Sequence, residues 1–124
     1  MTYQATFDLA MDLCDERGAS GAINSASTSI YLAKAPGFLT LLNSEVARGM
    51  GIPATQVMAL TETSQCGDYV ILAVLPYGLA AMLLADENPQ VASYYQQKFE
   101  ESKRRIPAVP KPIIDVYNLG SGGF

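Results

Sequence analysis

Histidine and tryptophan are absent from this chain of 124 residues, and cysteine occurs only twice. Without histidine there is no ordinary general base near neutral pH, and the commonest metal ligand is missing. Cys14 and Cys66 stand in no CxxC motif and beside no cation that would lower a thiol pKa, so they read as small core residues of a reduced protein. Two cysteines alone leave a disulfide between them open. Charge is scarce as well: 16% of residues are charged, against roughly 25% in an average soluble domain. A single small domain this apolar must hide apolar surface, and self-association is the simplest way to do so.

Positive charge is in shortest supply, with eight basic residues against twelve acidic ones. Residues 1–97 carry nine acids against Arg17, Lys34 and Arg48, whereas residues 98–124 carry three acids against five bases. The body is thus acidic and the end basic. That argues against a nucleic-acid-binding body, which needs clustered cations to displace counterions. It permits head-to-tail contact between a basic end and the acidic body of another subunit. No secretory signal precedes the first helix, where Asp8 interrupts the apolar positions, so synthesis in the cytoplasm is expected.

No long membrane-spanning run is present either. The charge-free stretch YVILAVLPYGLAAMLLA, residues 69–85, falls short of the ~20 apolar residues a span needs and contains Pro76 and Gly78. It predicts a central helix, capped by Asp68 and buried on all sides.

What is present is mostly helical. Tyr3, Phe7, Ala10 and Cys14 form one apolar stripe between the candidate caps Thr2 or Thr6 and the stop at Gly18. A second helix runs from a cap at Asn24 or Ser25 to Gly49 or Gly51. Pro36 in its middle removes a backbone hydrogen bond and predicts a kink or break. IPATQVMALTETSQCG reads as an extended connection with a short strand near Val57–Leu60. The last helix has the clearest start: Asn88 caps it, Pro89 sits where a missing N–H costs nothing, and Asp86 and Glu87 lie near its positive end. Val91, Tyr95, Phe99 and Ser102 share its inner face, with Tyr94 beside them.

The expected fold class is mostly α: a small four-helix, bundle-like domain over residues 1–106, with a long extended connection. An extended C-terminal docking tail follows over 107–124.

Catalytic constellations are missing. The carboxylates come as Asp15–Glu16, Asp86–Glu87 and Glu100–Glu101, and adjacent residues on a helix point to different sides, as solvated charge does. GSGG at 120–123 lacks the strand, helix and Lys-Ser/Thr of a phosphate loop. Lys103, Arg104 and Arg105 fit dipole partners of a helix end better than a phosphate site. Tyr94, Tyr95 and Phe99 at helical spacing fit core better than base stacking. No catalytic, cofactor or metal residue is assigned.

The candidate partner-binding residues lie at the end: Lys103, Arg104, Arg105, Ile106, Pro107, Val109, Pro110, Pro112, Ile113, Ile114, Val116, Tyr117 and Phe124. Three spaced prolines enforce an extended path that lowers the entropy lost on docking. IIDVY then alternates as a strand does and is suited to adding itself to a sheet edge elsewhere.

LPYGLAAMLLADENPQVASYYQQKFEESKRRIP, residues 75–107, resembles the final helical hairpin of tailed-bacteriophage head–tail connector (adaptor) proteins. LAKAPGFLTLLNSEVAR before an extended connection is similar to the same family more loosely, as is the ending PKPIIDVYN. The resemblance implies a small α-helical structural protein without enzymatic activity or cofactor. Copies would form a homo-oligomeric ring, typically of twelve, under the portal in the neck of the virion. The ring would extend the DNA channel without sequence-specific binding, and would link the portal protein to a stopper or tail-completion protein away from any membrane. The C-terminal segment would grip the portal or a neighbouring subunit. Two other readings remain open in the sequence: a helical binding or regulatory module, unrelated to phage, that acts through its tail, and an enzyme subunit completed across an interface.

Overall fold

A computed structural model describes residues 1–14 and 25–106. The fold is all-α and bundle-like. Helix α1 spans Tyr3–Leu13, α2 Ser25–Met50, α3 Leu75–Leu84 and α4 Pro89–Arg104, and a π-helical turn, Val70–Val74, runs directly into α3. Among the described residues there is no strand; an isolated bridge joins Thr2 and Thr63.

The spacing of apolar side chains decides which faces meet. Tyr3, Phe7, Ala10 and Met11 of α1 are buried, as are Tyr31, Ala35, Leu39, Leu42 and Val46 of α2. Both sets turn toward the most apolar element, the π turn and α3, where Ile71, Val74, Leu75, Leu79 and Ala80 are fully enclosed. α3 packs against all three other helices. From α4, Phe99 closes the core at 0% exposure; burying such a ring contributes up to about 3 kcal/mol.

Gly78 is where the helices approach most closely. A Cβ there would lie 2.8 Å from both Leu42 Cδ2 and Phe99 Cδ1, so only glycine lets α2 and α4 close on α3 at this level.

The caps fall largely where the sequence places them. Asn88 accepts a hydrogen bond from the Val91 N–H at 3.3 Å, with Pro89 in the first turn. Gly51, at φ 78°, ends α2 while Ile52 N–H reaches back to the Ala47 carbonyl at 3.0 Å. Thr2 begins α1 without a side-chain cap. Its role passes to the connection, whose Glu62 and Leu60 carbonyls accept from the Tyr3 and Gln4 N–H groups at 3.0 and 2.9 Å. The sequence's stop at Gly18 lies outside the described residues.

Four expectations are corrected. First, α2 does not break at Pro36; it is one helix from Ser25 to Met50. Proline lacks the N–H that would reach the Leu32 carbonyl, and Leu32 lies on an exposed side of the helix at 45%, away from the core. Second, Val57–Leu60 forms no strand, because side chains take the N–H groups a ladder would use. Thr40 Oγ1 accepts from Val57 N–H at 2.8 Å, and a Glu62 carboxylate oxygen accepts from Met58 and Ala59 at 3.1 and 2.9 Å.

Third, Asp68 is not the cap but is itself helical; its carboxylate pairs with the Met1 ammonium at 3.1 Å. Fourth, the 69–85 stretch is not buried all round: Tyr69 and Leu72 are 46% and 42% exposed. No helix among the described residues is long and apolar enough to cross a membrane. Cys14 and Cys66 are buried thiols that form no disulfide.

The connection after α2 is held by polar groups rather than by a sheet. Asn43, wholly buried in α2, accepts from Ser64 Oγ at 2.7 Å and donates to Gln65 Oε1 at 3.3 Å. Gln65 in turn donates to the Pro53 carbonyl at 2.9 Å, and Ser64 Oγ accepts from Cys66 N–H at 3.0 Å. The segment is thereby pinned under the start of α1.

Candidate partner-binding surface

Of the thirteen residues singled out for docking, Lys103, Arg104, Arg105 and Ile106 lie within the described chain. Pro107, Val109, Pro110, Pro112, Ile113, Ile114, Val116, Tyr117 and Phe124 lie outside the described residues, as does the tail domain 107–124. The basic trio at the end of α4 divides in two. Lys103 turns inward: its ammonium lies 2.9 Å from Glu100 and 3.4 Å from Glu45 on α2, over the Phe99 ring at 5.3 Å. Burial works against its charge, but the Glu100 hydrogen bond and the Glu45 carboxylate more than offset this and raise its pKa. The same hydrogen bond is the main cause that lowers Glu100.

Lys103 is therefore a strut between α4 and α2. Arg104 and Arg105 are exposed, and Ile106, the last described residue, packs partly into the core.

Near the end of α4 lies a surface that sequence reasoning did not identify. The outer side of the π turn and α3 carries Tyr69, Leu72, Ala73 and Tyr77, with Pro76 beneath them. On one flank, Leu9, Asp12 and Leu13 of α1 enclose a depression of about 270 Å³ against Leu72, Pro76 and Tyr77. On the other, Lys98, Glu101 and Arg105 of α4 enclose about 260 Å³ against Tyr69 and Tyr77.

Ala73 and Tyr77 line both depressions, which lie on the two flanks of this exposed face. The α1 side is apolar with Asp12 at its rim; the α4 side is polar and carries Lys98, Glu101 and Arg105. Tyr95 ties the flanks together, donating its hydroxyl to the Leu13 carbonyl at 2.9 Å and stacking near Tyr77 and Tyr94 at 6.2 and 5.6 Å. The spacing 69, 72, 73, 76, 77 was the available signal: it is one helical face. In a sequence where every neighbour is also apolar, that face is indistinguishable from core.

The π turn lies at this exposed face. Leu75 N–H bonds to the Val70 carbonyl, five residues back, which widens the helix by one residue. Such single π turns occur frequently at functional sites. A third depression, about 340 Å³, sits where α3 meets α4 and is lined mainly by Ala81, Met82, Ala85 and Ala92; it offers no converging charges. Among the described residues no group of three metal-ligating side chains comes together.

Comparison with protein-family models, with curated proteins and with solved structures returned no match.

Proposed function

We propose that the protein is a non-enzymatic structural connector of the tailed-phage adaptor type. Copies assemble as a ring that continues a portal's DNA channel, and the basic, proline-spaced C-terminal segment provides the grip. The observation that carries this reading is the α3–α4 hairpin. Within the stretch that resembles the connector family, residues 75–106 form a charge-free helix, a capped acidic turn and an amphipathic helix that buries Phe99. The chemistry agrees with that role. An acidic body repels phosphates and lets DNA slide through a lumen, and a small, poorly charged domain that exposes Tyr69 and Leu72 is suited to subunit contacts.

Imaging the protein together with its portal by electron microscopy tests the proposal. A closed ring coaxial with the portal is the expected result, and assembled particles without one refute it. Deleting residues 107–124 gives a second test. The body is expected to keep its helical signal and lose attachment to the portal, whereas loss of the fold would assign those residues to the core.

A further inference from the structure

We propose that the outer face of α2 docks against the same face of a second copy of this chain, the two helices running antiparallel about a two-fold axis. The inference rests on neither the connector reading nor the C-terminal segment. A two-fold contact closes on itself after two copies, so it differs from the head-to-tail contacts that repeat around a ring.

The helical repeat defines the face. Ile30, Lys34, Gly37, Leu41, Glu45 and Arg48 follow one another at three or four residues and share one side of α2. All six are exposed, whereas Ala35, Leu39, Leu42 and Val46 on the opposite side are buried. Ile30 and Leu41 are 57% and 60% exposed. Between them nothing lies within 4 Å of a Cβ built at Gly37, so bare backbone separates two apolar side chains. From Ile30 to Arg48 the face runs about 27 Å at 1.5 Å per residue.

Charge chooses the occupant and its direction. The centre of the face lies between Gly37 and Leu41. A second α2 laid antiparallel across that centre brings each Lys34 level with the partner's Glu45. The same register sets each Leu41 over the partner's Gly37, a knob over a gap, and each Ile30 beside the stem of the partner's Arg48. Every contact forms twice. A parallel, in-register pair would instead set Lys34 against Lys34 and Glu45 against Glu45, and like charges placed together are disfavoured.

The groups for this pairing are in place. Lys34 meets no carboxylate among the described residues. Glu45 lies 3.4 Å from the Lys103 ammonium, which also pairs with Glu100. Two carboxylates and one ammonium leave one negative charge, so the cluster still attracts a cation, and the strut limits the freedom Glu45 loses on docking. One helix pair is a small interface, so the dimer is expected to dissociate on dilution.

The test is sedimentation of the full chain across a range of concentrations, with helical signal recorded for each variant. The wild type is expected to exchange between the 13.3 kDa protomer and a dimer, and Leu41→Glu to remain a monomer. Lys34→Glu and Glu45→Lys should each weaken the dimer by about tenfold, because each replaces two opposite-charge contacts with two like-charge ones. Combining both substitutions in one chain should recover most of that loss, as should mixing the two single variants. Recovery in the combined variant requires position 34 of one copy to face position 45 of the other. If Glu45→Lys loses helical signal, a mixture of Gly37→Cys and Leu41→Cys replaces it. Under mild oxidation the two should cross-link to each other in far higher yield than either does alone.

A wild type that stays monomeric at every concentration overturns the inference. So does an assembly of any size that Leu41→Glu leaves intact, a combined variant no tighter than the single ones, or equal cross-linking in the mixture and in its components. Only the free protein is measured, so failure here leaves the connector reading standing, and the absence of a ring at a portal leaves the pair standing.

Discussion

The Thr6 hydroxyl donates to the Ile71 carbonyl at 2.7 Å, in a part of the core where both residues are fully buried. Ile71 needs this donor because the helix ladder supplies none. Its α-helical partner, the Leu75 N–H, is bonded to Val70 instead. Its π-helical partner would be residue 76, a proline with no N–H. An unpaired buried carbonyl costs as much as a lost hydrogen bond. One hydroxyl on α1 thus satisfies the carbonyl that the π turn leaves open.

Thr6→Val keeps shape and removes the donor, so it should destabilise the protein by about 1–3 kcal/mol. Urea denaturation of Thr6→Val, Pro76→Ala and the double variant forms a cycle. Pro76→Ala restores an N–H at the point of need, and the cost of Thr6→Val should shrink in that background. Strict additivity would show that the hydroxyl does not serve the carbonyl.

Gly78 and Gly37 should respond oppositely to alanine. Both lie inside helices, where alanine gains about 1 kcal/mol from propensity. At Gly37 nothing lies within 4 Å of an added Cβ, and Gly37→Ala should stabilise by about 0.5–1 kcal/mol. At Gly78 the new atom meets the enclosed Phe99 ring as well as Leu42. Overpacking of this kind costs about 1–3 kcal/mol, so Gly78→Ala should be net destabilising. Thermal unfolding of the two variants side by side checks the contrast; equal shifts would mean the α2–α3–α4 junction is looser than described.

These two cases mark what the sequence made legible. Local signals served well: the Tyr3–Phe7–Ala10–Cys14 stripe, the Asn88-Pro89 start, and Gly51 as a helix end depend on residues within a turn or two of one another. What was missed depends on distant partners. The π turn needs Thr6, 65 residues away in sequence. The strand expected at Val57–Leu60 is lost to Thr40, 17 residues away, and to Glu62. The inward turn of Lys103 needs Glu45 on another helix. The exposed face at Tyr69 and Leu72 was hidden for another reason: 69–85 carries no charge, so no polar contrast marks which face meets solvent.

Asn43 should prove the fastening point of the 51–67 connection. Asn43→Ala strips partners from Ser64 and Gln65, and each buried group left unsatisfied costs about 1–3 kcal/mol. Because the connection also holds the start of α1 through Leu60 and Glu62, amide exchange should rise at Tyr3 and Gln4 as well as across 52–67. Exposed Gln65, replaced by alanine, should give a weaker form of the same pattern. Faster exchange confined to α2 would argue that the network does not couple the two segments.

Stability should fall more steeply in alkali than in acid. Burial raises the pKa of Tyr3 and of the Cys66 thiol, so the folded state holds both protons more tightly than the unfolded chain. That contribution is complete below the unfolded values, about 8.5 for cysteine and 10 for tyrosine, and is lost as pH rises through the folded ones. Lys103 acts in the same direction: its raised value favours the charged form in the fold, so its contribution also fades at high pH. Glu100 acts oppositely. Its lowered pKa contributes above an unfolded value of about 4.3 and is lost as pH falls through the folded value. Its side chain is 36% exposed, so solvent and salt screen that effect.

Melting temperatures should therefore be level from about pH 5 to 8.5, decline gently below, and drop sharply above. Cys66→Ala should move the alkaline onset upward, toward the tyrosine and lysine range, whatever it does to the plateau. An unchanged onset would show that thiol ionisation is not the first event in alkaline unfolding.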